Sequence, residues 1–330
     1  MEGSRSFSQE TSHATGRPQT RCDPLQLPEL HPGGCTWSPA LGAFLVSSQK
    51  QGKLVLVEMD GRCVDLLDHP LLITSTAVRE RDGRAYVAVG HRGVHGRSLS
   101  PRKSPGDDTI LRIGRVCVFD IAGRRLVGSH DLAPLVPGAH LLLPDDLVVA
   151  DDGSVYVTDA CRPVVYRIPA AGHGEPHVFL ADERLGGLSA AGKGSGRIGG
   201  LALLPNGAII FSSAADGQLF KAPLGNAHEF RPIGTPHPFP GADAVALGPE
   251  GHLYLAATDG DRPGTVVWQL ASDDGFESVR VVAVDRHGEE DRAVAFAVAQ
   301  HRVWAIDGHP EAFEAFRPDT ADYVIAPFAP

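Results

Sequence analysis

The sequence lacks several features that would point to other classes of protein. Its five cysteines are odd in number and scattered over 330 residues without CxxC spacing, which is typical of reduced intracellular thiols rather than of disulfides or zinc sites. No apolar run approaches the roughly 18–20 residues of a membrane span. The 30 basic residues are outnumbered by 40 acidic ones and form no block, which disfavours nucleic acid as a partner. These absences predict a cytoplasmic protein with a small-molecule substrate and no membrane partner.

The beginning of the chain also lacks an organised pattern. "MEGSRSFSQETSHATGRPQTR" has no apolar core of the kind that a secretory signal requires. Its Ser, Thr, Gln and Arg content is typical of disorder. We therefore expect a disordered tail over residues 1–20 and a single folded domain over residues 21–330.

What the sequence does contain is a repeat. The stretches "RDGRAYVAV", "DDGSVYVTD", "PNGAIIFSS" and "PEGHLYLAA" each join a turn pair ending in glycine to an alternating apolar strand. In most copies one apolar strand precedes the turn and two further strands follow. Period-2 alternation with Gly, Asp and Asn at the turns predicts β-hairpins.

Four-stranded units recur six times with no helix between them, at residues 33–70, 71–138, 139–190, 196–240, 241–288 and 289–330. Repeats of about 40–55 residues predict an all-β fold, a six-bladed β-propeller with four-stranded antiparallel blades. "CDPLQLPEL", before the first unit, could add a strand to the last blade and close the ring. Two stacked all-β domains are the alternative, which the absence of a linker disfavours.

Acidic residues stand before several strands that would line the central channel. Asp145 and Asp146 precede such a strand in the third unit, Asp243 in the fifth, and Asp291 in the sixth. Since the inner strands of a propeller surround one axis, we expect these carboxylates to meet at one end of the channel. Capping of a turn is the alternative role for each of them.

Two long insertions interrupt the repeat, at residues 91–108 and 184–197. Long loops on a rigid scaffold often carry function, although simple surface decoration is the alternative. The candidate substrate contacts in these loops are His91, His95 and Arg197. His140, directly ahead of the third unit's inner strand, is a candidate base or substrate contact.

Three stretches resemble a known family: "PDDLVVADDGSVYVTDACRPVVYRI", "PNGAIIFSSAADGQLFKAPL" and "PGADAVALGPEGHLYLAA". They are similar to the gluconolactonase and senescence-marker-protein group of six-bladed propellers, including its strictosidine-synthase-like relatives. The resemblance implies hydrolysis of lactones or esters at the channel mouth. In the metal-dependent branch it also implies one divalent cation, usually calcium, bound by a Glu, two Asn and an Asp.

Only part of that ligand set is present. The family's Asp falls on Asp243 and one Asn falls on Asp145, whereas the Glu falls on Gly33 and the other Asn near Gly199. Calcium takes six to eight oxygen ligands, so the resemblance implies a weakened metal site at Asp145 and Asp243. Gly33 and Gly199 would instead leave room at the mouth for a larger substrate, and we count them among the candidate substrate contacts.

Three functions therefore remain open. A lactonase or ester hydrolase with a weakened divalent-metal site leads. A metal-free cyclase or condensing enzyme of a natural-product pathway is the alternative, because neighbouring carboxylates in a half-dry channel have raised pKa values, which suits a general acid. A non-catalytic ligand-binding propeller is the third, since fold alone does not fix function. In each case a monomer or homodimer is expected.

Overall fold

The computed structural model of the protein describes residues 24–27, 30–90, 113–139, 142–186, 198–213, 216–259, 262–286, 293–308 and 323–329. These residues form six four-stranded antiparallel sheets. The prediction of a six-bladed β-propeller is confirmed. The strands of each blade fall within one predicted unit to within one residue, except that the outer strand of blade VI comes from residues 25–27. The predicted tail over residues 1–20 lies outside the described residues.

The strands are numbered in chain order. Blade I contains β2 to β5 at Pro32–Ser38, Ala43–Ser48, Lys53–Glu58 and Cys63–Asp68. Blade II contains β6 to β9 at Thr74–Arg81, Arg84–Gly90, Arg115–Asp120 and Arg125–Asp131. Blade III contains β10 to β13 at Pro144–Val149, Val155–Asp159, Val164–Ile168 and His177–Ala181.

Blade IV contains β14 to β17 at Ile198–Leu204, Ala208–Ser213, Leu219–Pro223 and Arg231–Pro232. Blade V contains β18 to β21 at Ala244–Leu247, Leu253–Asp259, Arg262–Ala271 and Arg280–Arg286. Blade VI contains β22 to β24 at Ala293–Ala299, Arg302–Asp307 and Tyr323–Pro327, with β1 at Leu25–Leu27. Short 3-10 turns lie at Ala133–Leu135, Glu183–Gly186 and Ala227–Glu229. Among all the described residues, no helix is long and apolar enough to cross a membrane.

The hairpin between the first two strands of each blade explains the sequence repeat. The glycine that ends the turn pair adopts a left-handed conformation, with φ of 72° at Gly83, 82° at Gly153 and 75° at Gly207. Glycine enters this region without the penalty that a Cβ imposes. The repeated turn pair thus sets the register of these hairpins, and the register fixes which residues begin their inner strands. The blade VI hairpin turns without glycine, at Gln300 and His301, which both have a positive φ.

The first strand of every blade lies at the channel. These six strands contact one another in sequence, β2 with β6, β6 with β10 and so on, until β22 contacts β2 and closes the ring. The blades pack face to face through apolar side chains, as where Phe44 of blade I meets Trp304 of blade VI at 5.2 Å between ring centroids. The core is therefore a set of layers between blades, and it leaves the starts of the inner strands at one end of the channel.

The ring is closed by a strand from the beginning of the chain. β1 pairs antiparallel with β24, placing Leu25 opposite Ile325 and Leu27 opposite Tyr323. The outer strand of blade VI thus comes from the stretch "CDPLQLPEL", as predicted. This pairing joins the first described residues to the last blade.

Candidate functional site

Irregular pairing at the start of the inner strands defines a ring of equivalent positions. The register of the first hairpin shifts between Pro32 and Gly34 in blade I, and comparable shifts occur in blades II, III, IV and VI. In blade V the inner strand begins at Ala244, and the Asp243 amide donates to Ala256 O at 3.0 Å. Alignment of the six hairpins by register gives six equivalent residues, which we call the mouth ring: Gly33, Thr76, Asp145, Gly199, Asp243 and Val294.

Two members of the mouth ring are ionisable, and both are carboxylates. Asp145 and Asp243 are half-buried and come from blades III and V, on either side of blade IV. The structure therefore brings these two predicted site residues to equivalent positions around the channel. Sequence reasoning missed Thr76 and Val294, because neither residue type signals chemistry by itself.

The mouth-ring position of blade VI is held by an apolar residue and not by the predicted carboxylate. In blade VI the residue equivalent to Asp145 is Val294, the second residue of β22. Asp291, which was predicted for this position, precedes β22 in the sequence. The following predicted residues lie outside the described residues, and their roles stay predictions: His91, His95, His140, Arg197 and Asp291.

The two glycines of the mouth ring lie in close contact with the neighbouring blade. A Cβ atom at Gly33 would stand 2.1 Å from Ser75 O of blade II, and one at Gly199 would stand 2.2 Å from Ala242 O, directly before blade V. Real Cβ contacts are essentially never shorter than 3.0 Å. The space that a side chain would fill is therefore occupied by backbone. The two glycines therefore allow neighbouring backbones to approach closely, and they do not leave room for a larger substrate as predicted.

The same hydrogen bond accompanies both glycines. Ser47 Oγ donates to Ser75 O at 3.3 Å, and Ser212 Oγ donates to Ala242 O at 3.0 Å. Blades I and IV thus share a Gly-Gly pair on the first strand and a serine on the second, on opposite sides of the ring. We infer that these residues set the spacing of two blade interfaces.

Asp146, next to Asp145, connects three blades. Its Oδ2 accepts from the Leu201 amide of blade IV at 2.9 Å, and its Oδ1 accepts from Arg79 of blade II and from the Leu147 amide, both at 2.8 Å. Burial raises the pKa of Asp146, while the Arg79 guanidinium and the two backbone amides lower it. The two adjacent aspartates thus differ in role: Asp146 is a structural residue at the blade interfaces, and Asp145 belongs to the mouth ring.

Two further groups that could carry chemistry are buried and structural. Burial raises the pKa of the Cys35 thiol to about 12, so this thiol stays protonated and is not an activated nucleophile. Asp159 accepts from Tyr166 Oη and the Cys161 amide, each at 2.8 Å. Burial raises the pKa of Asp159, and these hydrogen bonds lower it. Asp159 therefore stabilises blade III and is not a member of the mouth ring.

The donor set of the mouth is smaller than the six to eight oxygen ligands that calcium takes. The mouth ring supplies two carboxylates, and the glycine positions have no space for the two missing side chains. Within the described ranges no group of three or more His, Cys, Asp or Glu side chains is placed to hold a metal ion. The described residues therefore do not form a complete calcium site.

The fold and the mouth ring define a six-bladed propeller with an acidic channel mouth. No family model and no curated protein matches the sequence. Solved structures do match. A calcium-binding regucalcin from Agrobacterium tumefaciens has 14% identity and a TM-score of 0.59 over 91% of this chain and 90% of its own. A gluconolactonase from Xanthomonas campestris has 17% identity and a TM-score of 0.57 over 93% and 91%.

A lyase shares the same fold. Virginiamycin B lyase from Staphylococcus aureus has 12% identity and a TM-score of 0.56 over 86% of this chain and 81% of its own. The structural neighbours are thus gluconolactonase- and regucalcin-like propellers and related lyases, in agreement with the resemblance seen in the sequence. Sequence identities of 12–17% to these structures support a shared fold and nothing beyond it.

Proposed function

We propose that the protein is an enzyme that hydrolyses lactones or related esters at its channel mouth. The observation that carries this proposal is the placement of two half-buried carboxylates, Asp145 and Asp243, at equivalent positions of the mouth ring. The other described members of the ring are glycine, threonine and valine, so acid–base chemistry there depends on these two aspartates. The lactonase and lyase functions of proteins with the same fold support an enzymatic role.

The chemistry follows from the two carboxylates. In the proposed reaction Asp243 accepts a proton from a water molecule, and the oxygen of that water bonds to the carbonyl carbon of the lactone. The tetrahedral intermediate collapses by breaking the bond to the ring oxygen, and the protonated Asp243 returns the proton to that oxygen. Asp145 accepts a hydrogen bond from a substrate hydroxyl and so orients the carbonyl. General base catalysis of this kind contributes about 10²–10⁴-fold to the rate.

A metal-free cyclase or lyase reaction is the second candidate. The observation that favours it is the incomplete donor set of the mouth, where backbone occupies two of the four positions that bind metal in the resembling family. The same carboxylates would then move a proton within a substrate rather than activate water. A non-catalytic ligand-binding role is the result expected if neither reaction is found.

The first test measures the turnover of a panel of five- and six-membered lactones and simple esters. The acid that is released reports the reaction. Each hydrolysis produces one carboxylic acid, so a pH indicator reports all substrates alike. We expect turnover above the uncatalysed rate for at least one lactone, with protein purified without chelator. No turnover of any lactone or ester would contradict the proposal, and formation of an isomeric or cleaved product without uptake of water would favour the second candidate.

Calcium dependence is tested separately by thermal unfolding. If Asp145 and Asp243 hold a cation, calcium at about 100 times its dissociation constant stabilises the protein by about 2.7 kcal/mol, and Asp243→Ala abolishes this gain. If the site acts without metal, exhaustive chelation leaves turnover unchanged. Full activity after chelation, without calcium-induced stabilisation, is the result that the incomplete donor set predicts.

A further inference from the structure

Blade II contains a tyrosine without the aromatic contact that its counterparts have. Tyr86, Tyr156 and Tyr254 each lie three residues after the glycine of a hairpin turn, in blades II, III and V. The Tyr156 ring contacts Phe179 and the Tyr254 ring contacts Phe328, both edge-on at 5.0 Å between ring centroids. Within the described ranges Tyr86 contacts no aromatic ring, and at 9% it is the most exposed of the three. An aromatic partner is therefore missing beside Tyr86.

A cleft with a volume of about 230 Å³ opens beside Tyr86, between blades II and III, and we call it the II/III cleft. Gly128 of the outer strand β9 lines it, and a Cβ at Gly128 would meet no atom nearer than Val118 Cβ at 3.6 Å. The apolar part of the lining consists mainly of Val118, Val127, Val155, Ile168 and Pro169. A cavity of about 150 Å³ can bind benzene, and drug-sized ligands need about 300 Å³ or more. The II/III cleft therefore matches a molecule with one ring.

The II/III cleft is separate from the mouth ring. Val155, which lines it, pairs with Val149 at the end of β10, whereas Asp145 lies at the start of that strand. Arg84, at the start of β7, lines the same end of blade II. A ligand in the cleft would thus bind away from the proposed reaction.

Arg84 is the charged residue in the lining of the II/III cleft. Its guanidinium forms no hydrogen bond or ion pair with any residue that the structure describes. Neighbouring arginines are paired, Arg81 with Asp151 at 3.1 Å and Arg125 with Asp120 at 3.3 Å. Asp120 is the residue opposite Arg84 on β8, so the nearest acidic residue along the sheet is paired with Arg125 instead. A guanidinium offers several donors in a plane that matches a carboxylate.

Two uncharged polar groups complete the lining. The Tyr86 hydroxyl and the His130 imidazole also have no hydrogen-bond partner in the described part of the chain. Burial lowers the pKa of His130, although Glu175 raises it, so the imidazole is neutral at pH 7 and leaves Arg84 as the charge of the cleft. Buried polar groups are ordinarily hydrogen-bonded, and Tyr86 is more than nine-tenths buried. Its hydroxyl is thus available to a polar ligand atom.

We propose that the II/III cleft binds a small aromatic carboxylate. The ring of the ligand packs beside Tyr86, as Phe179 does beside Tyr156, and its carboxylate accepts hydrogen bonds from the Arg84 guanidinium. The apolar lining accounts for the ring, and the unpaired cation accounts for the carboxylate. This inference does not rest on the proposed function, because it uses no residue of the mouth ring.

The test compares three probes by fluorine NMR titration of the full chain: para-fluorobenzoate, para-fluorobenzyl alcohol and fluoroacetate. We expect the wild-type protein to bind para-fluorobenzoate at least about tenfold more tightly than either of the others, since a charge-assisted hydrogen bond and an apolar ring both contribute. Arg84→Gln should abolish the preference over the alcohol. The matched control is Arg124→Gln, because Arg124 is exposed in the same blade and does not line the cleft.

Gly128→Leu tests the location of the ring. The added side chain should fill the cleft and weaken binding of both ring probes at least about tenfold. The unfolding temperature should not fall, because glycine is unfavourable in a strand. Asp243→Asn should leave the affinity for para-fluorobenzoate unchanged, since Asp243 belongs to the mouth ring.

The proposal is overturned if the wild-type protein binds para-fluorobenzoate no more tightly than the alcohol, or if Arg84→Gln keeps the preference. It is also overturned if folded Gly128→Leu binds the ring probes as the wild-type protein does, or if Asp243→Asn loses them. Its failure is distinguishable from failure of the proposed function, because lactone turnover should be unchanged in Arg84→Gln.

Discussion

Arg79→Met should destabilise the protein by about 3–5 kcal/mol at neutral pH, because it leaves the Asp146 carboxylate buried without its cation. The two side chains are only 20% and 15% exposed, and they are 67 residues apart in sequence. Urea unfolding of the wild-type protein and the variant measures the difference. The double variant Arg79→Met/Asp146→Asn should recover part of the loss, since it removes the charge that lacks a partner.

The size of this loss should depend on pH. Burial raises the pKa of Asp146 above its ordinary value of 3.8, and Arg79 lowers it, so removing Arg79 raises this pKa further. An acid with a raised folded-state pKa contributes stability that is present below its ordinary pKa and is lost as pH rises through the folded-state pKa. The difference between the variant and the wild-type protein should therefore be smallest near about pH 4 and largest near neutral pH.

An exposed ion pair provides the control for this prediction. Arg62 and Glu58 are paired at 2.5 Å on the surface of blade I, with side chains 64% and 36% exposed. Arg62→Met should leave the unfolding midpoint nearly unchanged, because exposed pairs contribute little. An Arg79→Met variant as stable as Arg62→Met at neutral pH would show that Asp146 does not depend on Arg79.

Gly199→Ala should cost roughly 3 kcal/mol or more, because overpacking against backbone cannot be relieved by a side-chain rotation. The added Cβ would lie 2.2 Å from Ala242 O and 2.7 Å from Ser212 Oγ. Blades IV and V would have to move apart at this contact. Gly33→Ala should behave alike, since its Cβ would lie 2.1 Å from Ser75 O.

Gly225→Ala is the matched control in the same blade. A Cβ at this position meets nothing within 4 Å, and its φ is not in the left-handed region. We expect its unfolding free energy to stay within about 1 kcal/mol of the wild-type value. A Gly199→Ala variant that keeps full stability but loses substrate affinity would instead support the interpretation that this glycine leaves room for a ligand.

The sequence alone was sufficient to predict the propeller. The repeated turn pairs, such as Asp152-Gly153 and Asn206-Gly207, are local signals: glycine relieves the left-handed turn, and alternation marks the strands beside it. Six such units without helices leave few other folds. The closing strand β1 was also predictable, because the ring needs a fourth strand for its last blade.

The site was only partly predictable. Which of Asp145 and Asp146 belongs to the mouth ring depends on the shifted register of blade III, which breaks the ordinary alternation of a strand. The sequence pattern "STAVRE" contains Arg79 within an apolar strand, which is a signal of a buried partner, but the partner lies in another blade. The meaning of Gly199 depends on the distance to the next blade, and no local pattern reports that distance.

The assignment of the chemistry to the mouth ring is tested by the turnover of Asp243→Asn and Asp145→Asn on the lactone that the wild-type protein hydrolyses best. The matched control is Asp151→Asn, in the turn at the other end of the blade III hairpin, where the side chain is 93% exposed. We predict that Asp243→Asn lowers kcat by about 100-fold or more, since an amide cannot accept the proton. Asp145→Asn should mainly raise KM, and Asp151→Asn should match the wild-type protein. Wild-type turnover in both mouth variants would contradict the assignment of the chemistry to the mouth ring.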